Sequence, residues 1–145
     1  MSETVIQVTS LGKRIKGKTI LEDISFEINK GDCVALIGPN GAGKTVLMSC
    51  ILGDKKPSSG QVLIDGKAGK AKNKIAVLLQ ENTIPNSLKV EELIAFFQSI
   101  SDNPLTNQEV QELLQFKEDQ YQQFADKLSG GQRRLLAFVL CLIDK

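Results

Sequence analysis

The chain has 145 residues, 41% of them apolar and 24% charged, with eighteen basic against seventeen acidic side chains and a net charge of +1. That is the profile of one ordinary globular domain, and it excludes the basic face that nucleic-acid binding requires. No apolar run approaches the ~20 residues of a membrane span, and the N-terminus has neither the positive start nor the apolar core of a secretory signal. The chain contains no histidine, so imidazole is excluded from metal sites and general bases in these residues. Cys33, Cys50 and Cys141 are widely spaced in apolar runs, which predicts buried, reduced thiols of a cytosolic protein.

Residues 4–9 read as a first strand, and residues 11–19 as a basic, glycine-punctuated connection. Residues 24–28 alternate apolar with polar, as a half-buried strand does. Asn29, Lys30, Gly31 and Asp32 make a turn. It delivers the chain to residues 33–37, Cys-Val-Ala-Leu-Ile, a short run of strand formers.

The next stretch, Gly38-Pro39-Asn40-Gly41-Ala42-Gly43-Lys44-Thr45, matches G-x-x-x-x-G-K-[ST], the phosphate-binding loop. Phosphates carry several negative charges on closely spaced oxygens. Successive backbone N–H groups converge on them only where no Cβ blocks the approach, and Gly38, Gly41 and Gly43 supply that freedom. Lys44 reaches terminal phosphates as a point charge, and the Thr45 hydroxyl is a ligand for Mg²⁺. Residues 45–52 lack glycine and proline and stop before Gly53, which predicts a helix. The phosphates then sit at a helix N-terminus, where orphan N–H groups and the dipole favour anions.

Beyond this helix, residues 54–60 are a polar loop, and residues 61–64 a short strand ended by Asp65-Gly66. Residues 67–74 are a basic surface loop. Residues 75–79 form a continuous apolar run, expected for a strand covered on both faces and ending at Gln80. Residues 90–100 read as a helix with Glu91 and Glu92 in its first turn, broken by Ser101 to Pro104. Thr106 and Glu109 have capping-box spacing. Residues 128–132 are a glycine-bearing turn before an apolar helix over 133–143. The expected organisation is α/β: a β-rich core over 1–80, a helical segment over 81–128, and a turn and helix over 129–145.

The turn is Leu128-Ser129-Gly130-Gly131-Gln132. Downstream of a phosphate loop and a strand ending in Gln80, it resembles the signature of the nucleotide-binding domain of ABC-type ATPases. The loop at 38–45 and the stretch Leu21-Glu22-Asp23-Ile24-Ser25-Phe26-Glu27-Ile28 resemble that family too. The resemblance implies a P-loop NTPase core with an N-terminal antiparallel β portion and a helical subdomain. It implies ATP and Mg²⁺, with Lys44 and Gln80 in catalysis and Thr45 and Gln80 at the metal. Contacts to ATP are then expected from Ile15, from Gly38, Pro39, Asn40, Gly41, Ala42, Gly43, Lys44, Thr45 and Val46, and from Ser129, Gly130, Gly131 and Gln132. The last four face the nucleotide of a second ATP-binding subunit in a head-to-tail dimer. A serine hydroxyl and glycine N–H groups opening a helix make an anion site on physical grounds as well.

Three departures qualify the resemblance. Ile15 stands where the family stacks an aromatic ring on adenine, so only an apolar contact is left. Val46 stands where a second hydroxyl is usual, and the lost hydrogen bond is worth about 1 kcal/mol. The chain stops at Lys145, ahead of the family's apolar strand ending in Asp-Glu and its His-bearing switch; Asp144 reads as a solvent-facing helix end. The expectation is a partial domain of a longer ATPase, inactive alone and prone to aggregate. The implied function is the ATP-binding subunit of a transporter, peripheral on the cytoplasmic face of the membrane, with transmembrane permease subunits as partners and export as the direction. The alternatives are a non-catalytic nucleotide-binding module and a non-transport ABC-type ATPase.

Overall fold

The computed structural model describes residues 3–68, 75–79 and 84–144. Gln80 and most of the basic loop expected over 67–74 lie outside the described residues. The chain divides into two compact units, Met1–Ile75 and Ala76–Lys145.

The first unit is built on an antiparallel sheet. Strands β1 (Thr4–Ile15), β2 (Lys18–Asn29), β3 (Ser59–Ile64) and β4 (Lys67–Ala68) lie in the order β2-β1-β3-β4. The connection expected over 11–19 is instead a continuation of β1 and a tight hairpin. Ile15 pairs with Lys18 across a two-residue turn, and Lys16 and Gly17 both take positive φ, 48° and 78°. Such a turn matches the right-handed twist of paired strands, so pairing overrides the basic composition. One helix, α1 (Lys44–Ile51), belongs to this unit. Its Leu47, Cys50 and Ile51 are buried with Val8, Leu11 and Leu21 of the sheet. Each such apolar side chain contributes about 1.5–3 kcal/mol on full burial.

The second unit is helical. It contains α2 (Val90–Ser99), α3 (Asn107–Leu114), the short α4 (Glu118–Tyr121), a 3₁₀ turn over Ala125–Lys127 and α5 (Gly130–Cys141). Helix α5 is central, because Leu136, Ala137, Val139 and Leu140 follow helical spacing and are all buried, together with Ile143 beyond its end. They pack with Val90, Leu93 and Ile94 of α2 and Val110 and Leu114 of α3. The capping box of α3 forms as its spacing predicts: the Glu109 N–H donates to Thr106 Oγ1 at 3.3 Å, and the Thr106 N–H to Glu109 Oε2 at 2.8 Å. Asp144 is more than a solvent-facing helix end. Its Oδ1 accepts from the Asn103 N–H at 3.0 Å, beside the Leu105 N–H donating to the Ile143 carbonyl at 2.7 Å. Together these bonds tie the α2–α3 loop to the end of α5.

Two expected strands are not formed. Residues 33–37 and 75–79 are irregular and pair with no strand among the described residues. A strand exists only against a neighbour's backbone, and the antiparallel sheet uses neither segment. Their side chains are therefore exposed, to 89% at Ile37 and 60% at Leu79. The cysteine expectation holds in part: Cys50 is buried, Cys141 half-buried and Cys33 exposed. Burial pushes the Cys50 thiol pKa up, opposed by the Lys13 and Lys55 ammonium groups.

Two outcomes are expected. At Gly60, with φ +71°, an added Cβ meets the Ser10 carbonyl oxygen at 2.2 Å, whereas at Gly66, also at +71°, it meets nothing. Gly60→Ala should cost about 3 kcal/mol or more in urea unfolding, and Gly66→Ala only about 1. Exposed, uncharged, strand-prone segments also favour self-association. Sedimentation of the chain should show a concentration-dependent shift, reduced by Leu36→Lys. A concentration-independent monomer would contradict this.

Candidate nucleotide-binding site

The site in the first unit is the loop from Gly38 to the start of α1. Gly41 and Gly43 both adopt left-handed backbone, with φ of 83° and 96°. Gly43 is the N-cap of α1, so the chain enters the helix through a residue that only glycine tolerates without strain. Space favours glycine there too. A Cβ on Gly43 would stand 3.0 Å from Leu21 Cδ2 and 3.2 Å from the Ile20 carbonyl oxygen. The β2 strand thus backs the loop, with Leu21 fixed in the core behind it. The motif carried no signal of this support. The only hint was the apolar pair Ile20-Leu21 ahead of the half-buried strand.

Helix α1 has no side-chain cap on its first N–H groups and no acidic residue in its first turn. Its starting N–H groups and the positive end of its dipole therefore have no built-in anion. The Lys44 ammonium folds back over the loop and donates to the carbonyls of Gly38 and, at 2.9 Å, Pro39. The Ala42 N–H donates to the Pro39 carbonyl at 3.2 Å, which closes the turn. Asn40 and Thr45 are exposed, and Val46 is half-buried against the sheet core. This arrangement brings together N–H donors, one ammonium and one exposed hydroxyl. It fits a polyphosphate with a hard, oxygen-seeking cation, and the first turn of α1 holds no acidic side chain to repel it. Ile15 lies apart from the core cluster that includes Val46, half-buried at the hairpin tip.

In the second unit the signature residues open α5. Ser129 is its N-cap: Ser129 Oγ accepts from the Gln132 N–H at 3.2 Å, and Gln132 Oε1 accepts from the Ser129 N–H at 3.0 Å. The two polar side chains expected to face a nucleotide thus also close a capping box. Gly130 and Gly131 are exposed, and a Cβ on either meets nothing within 4 Å. Packing inside the unit therefore does not require glycine at these positions. Small residues there leave open approach to the helix start, where anions are favoured.

Known proteins match both the sequence and the fold. A family model described as ABC transporter matches residues 21–145. The methionine import ATP-binding protein MetN of Legionella pneumophila (strain Paris) is 35% identical over 151 residues, covering 95% of this chain and 44% of its own length. The petrobactin import ATP-binding protein YclP of Bacillus subtilis (strain 168) is 33% identical, covering 94% and 60%. The chain therefore spans roughly half the length of these relatives. A solved ATP-binding subunit of an ABC transporter superposes with a TM-score of 0.75 at 23% identity, covering 94% of this chain and 60% of its own. An ATP-binding cassette solved in its ADP conformation superposes equally well, at 0.75 and 23%, covering 96% and 64%. The fold is thus the α/β P-loop NTPase fold of ABC ATPase domains, with its antiparallel sheet and its helical unit. By the family model over 21–145, with the phosphate loop and the Leu-Ser-Gly-Gly-Gln turn both inside that range, this chain belongs to the ABC transporter family.

Proposed function

We propose that the chain carries the nucleotide-binding part of an ABC transporter's ATP-binding subunit, where ATP binding and hydrolysis drive transport through separate membrane subunits. The observation that carries this reading is the uncapped start of α1. It follows two left-handed glycines, with the Lys44 ammonium held on the loop carbonyls. A helix start closed by its own side chain has less need of an outside anion; this one has no such closure.

In this reading the main-chain N–H groups from Gly41 to Val46 donate to phosphate oxygens. Gly38, Pro39, Asn40 and Ala42 shape the loop around them. Lys44 keeps its carbonyl contacts while its remaining proton reaches the terminal phosphates. The exposed Thr45 hydroxyl and Gln80 hold Mg²⁺, and Gln80 also orients the attacking water. When bound, Mg²⁺ neutralises charge on the phosphate oxygens during transfer. Ile15 gives adenine an apolar contact without stacking. Ser129, Gly130, Gly131 and Gln132 meet the nucleotide of a second ATP-binding subunit in a head-to-tail dimer. Ser129 and Gln132 do so while capping α5, since the capping box fixes where the helix N–H groups point.

The domain plan proposed is a nucleotide-binding core over 1–80, a helical subdomain over 81–128 and the signature segment over 129–145. No helix among the described residues is long and apolar enough to cross a membrane. Permease subunits supply the pathway, with this chain peripheral on their cytoplasmic side. Export, the direction expected from the sequence, finds no support among the relatives. MetN, YclP and the spermidine/putrescine protein PotA of Protochlamydia amoebophila are all named as import proteins. We therefore favour import.

Replacing Lys44 tests the reading. Lys44→Ala should weaken ATP binding about tenfold or more in a fluorescent-nucleotide titration, the worth of a charge-assisted hydrogen bond. Unchanged affinity in that variant would remove Lys44 from the role and the loop from the proposal.

A further inference from the structure

The net charge of +1 averages over an uneven surface. Within the first unit, the β1–β2 hairpin carries Lys13, Arg14, Lys16 and Lys18, and the loop between α1 and β3 carries Lys55 and Lys56. These segments are far apart in the chain, yet hydrogen bonds tie them together. The Ser58 N–H donates to the Gly12 carbonyl at 2.8 Å, the Arg14 N–H to Ser58 Oγ at 3.0 Å, and Lys13 Nζ to the Lys56 carbonyl at 2.6 Å. Six cations therefore gather at one end of the antiparallel sheet. Lys13 is half-buried and the other five are exposed. Asp54 is the one carboxylate within residues 10–21 and 53–60. Among the described residues, no carboxylate pairs with any of the six cations.

Like charges held together repel one another, and the positive potential they raise draws polyanions. We infer that this end of the first unit is a docking surface for the anionic headgroups of a membrane leaflet. Clusters of roughly four to eight Lys and Arg side chains bind such surfaces, each cation near the surface adding about fivefold in affinity. Nucleic acid offers phosphates too, but residues 10–21 and 53–60 contain no aromatic ring on which a base could stack. The choice of a membrane also rests on the proposed function, which puts the chain beside one. The basic face that the overall charge argued against is thus present locally, because folding collects cations that the sequence keeps apart.

The test is flotation of the whole chain with lipid vesicles, in which bound protein rises and aggregated protein sinks. The chain should float with vesicles of phosphatidylcholine mixed with phosphatidylglycerol, stay behind with phosphatidylcholine alone, and release as salt is raised. An Arg14→Gln/Lys16→Asn/Lys18→Gln variant should bind the anionic vesicles about a hundredfold more weakly and keep its thermal melt. Asparagine is chosen at position 16 because it accepts the left-handed backbone there. A control with the same loss of charge elsewhere, Lys30→Gln/Lys117→Gln/Lys127→Gln, should bind as the wild type does. Equal binding to neutral vesicles, full binding by the hairpin variant, or an equal loss in the control overturns the inference. So does a DNA or RNA oligonucleotide that binds more tightly than the anionic vesicles at the same salt, since the surface then belongs to nucleic acid. Flotation needs no nucleotide, so the two readings fail separately. A chain that binds ATP through Lys44 but ignores anionic vesicles loses only this inference, and one that floats but binds no ATP loses only the nucleotide reading.

Discussion

The entry into α1 through Gly43 is the constraint on which the functional reading depends. Left-handed backbone at Gly41 and Gly43 leads the chain into a helix whose first N–H groups have no side-chain cap. Leu21 and Ile20 stand close behind Gly43, so that an added Cβ would be crowded at 3.0–3.3 Å on top of the strain of a left-handed backbone. In the proposed reading, backbone geometry rather than a side chain makes the anion site, with β2 packed behind it. Lys44 completes the arrangement by bonding two carbonyls of the loop that it closes. In the proposed reading, the same ammonium that bonds the loop carbonyls is the charge offered to a phosphate.

The helix starts of the two units are organised differently. The start of α1 has no side-chain cap, whereas α5 begins with a full Ser129–Gln132 box. A cap satisfies one or two of the orphan N–H groups and fixes the direction of the rest. At α5, two exposed glycines follow the cap, so an approaching group meets backbone. Helix α5 is also the framework of its unit. One face fills the core, its early turns hold Leu79 and Asn86, and the residue beyond its end anchors the α2–α3 loop.

The apolar segments 33–37 and 75–79 share a composition and a fate. Both read as central strands, and neither pairs with a strand among the described residues. Their different surroundings show how a segment copes without a ladder. At 75–79, side-chain donors of α5 take up two carbonyls. At 33–37, Val34, Leu36 and Ile37 are exposed, ahead of a loop whose own geometry is held from behind by β2.

The local chemistry was legible in the residues themselves. Glycine spacing marked the tight loop before α1, Thr106 with Glu109 marked the start of α3, and Leu-Ser-Gly-Gly-Gln marked the turn that opens α5, because each depends on neighbours a few positions away. Two helices were legible as well, one over 90–100 with acidic residues in its first turn and one over 133–143 as an apolar run, but not which face of α5 is buried. What depended on distant partners was not legible. The hairpin that absorbs the basic stretch at 11–19 exists because β1 finds β2, and a strand's length is decided by its partner. The two apolar runs have strand composition without strands, because pairing requires a neighbouring backbone that composition does not supply. The support of Leu21 behind Gly43 and the grip of Arg134 on Leu79 join residues far apart in the chain, so only the tertiary structure could set them side by side.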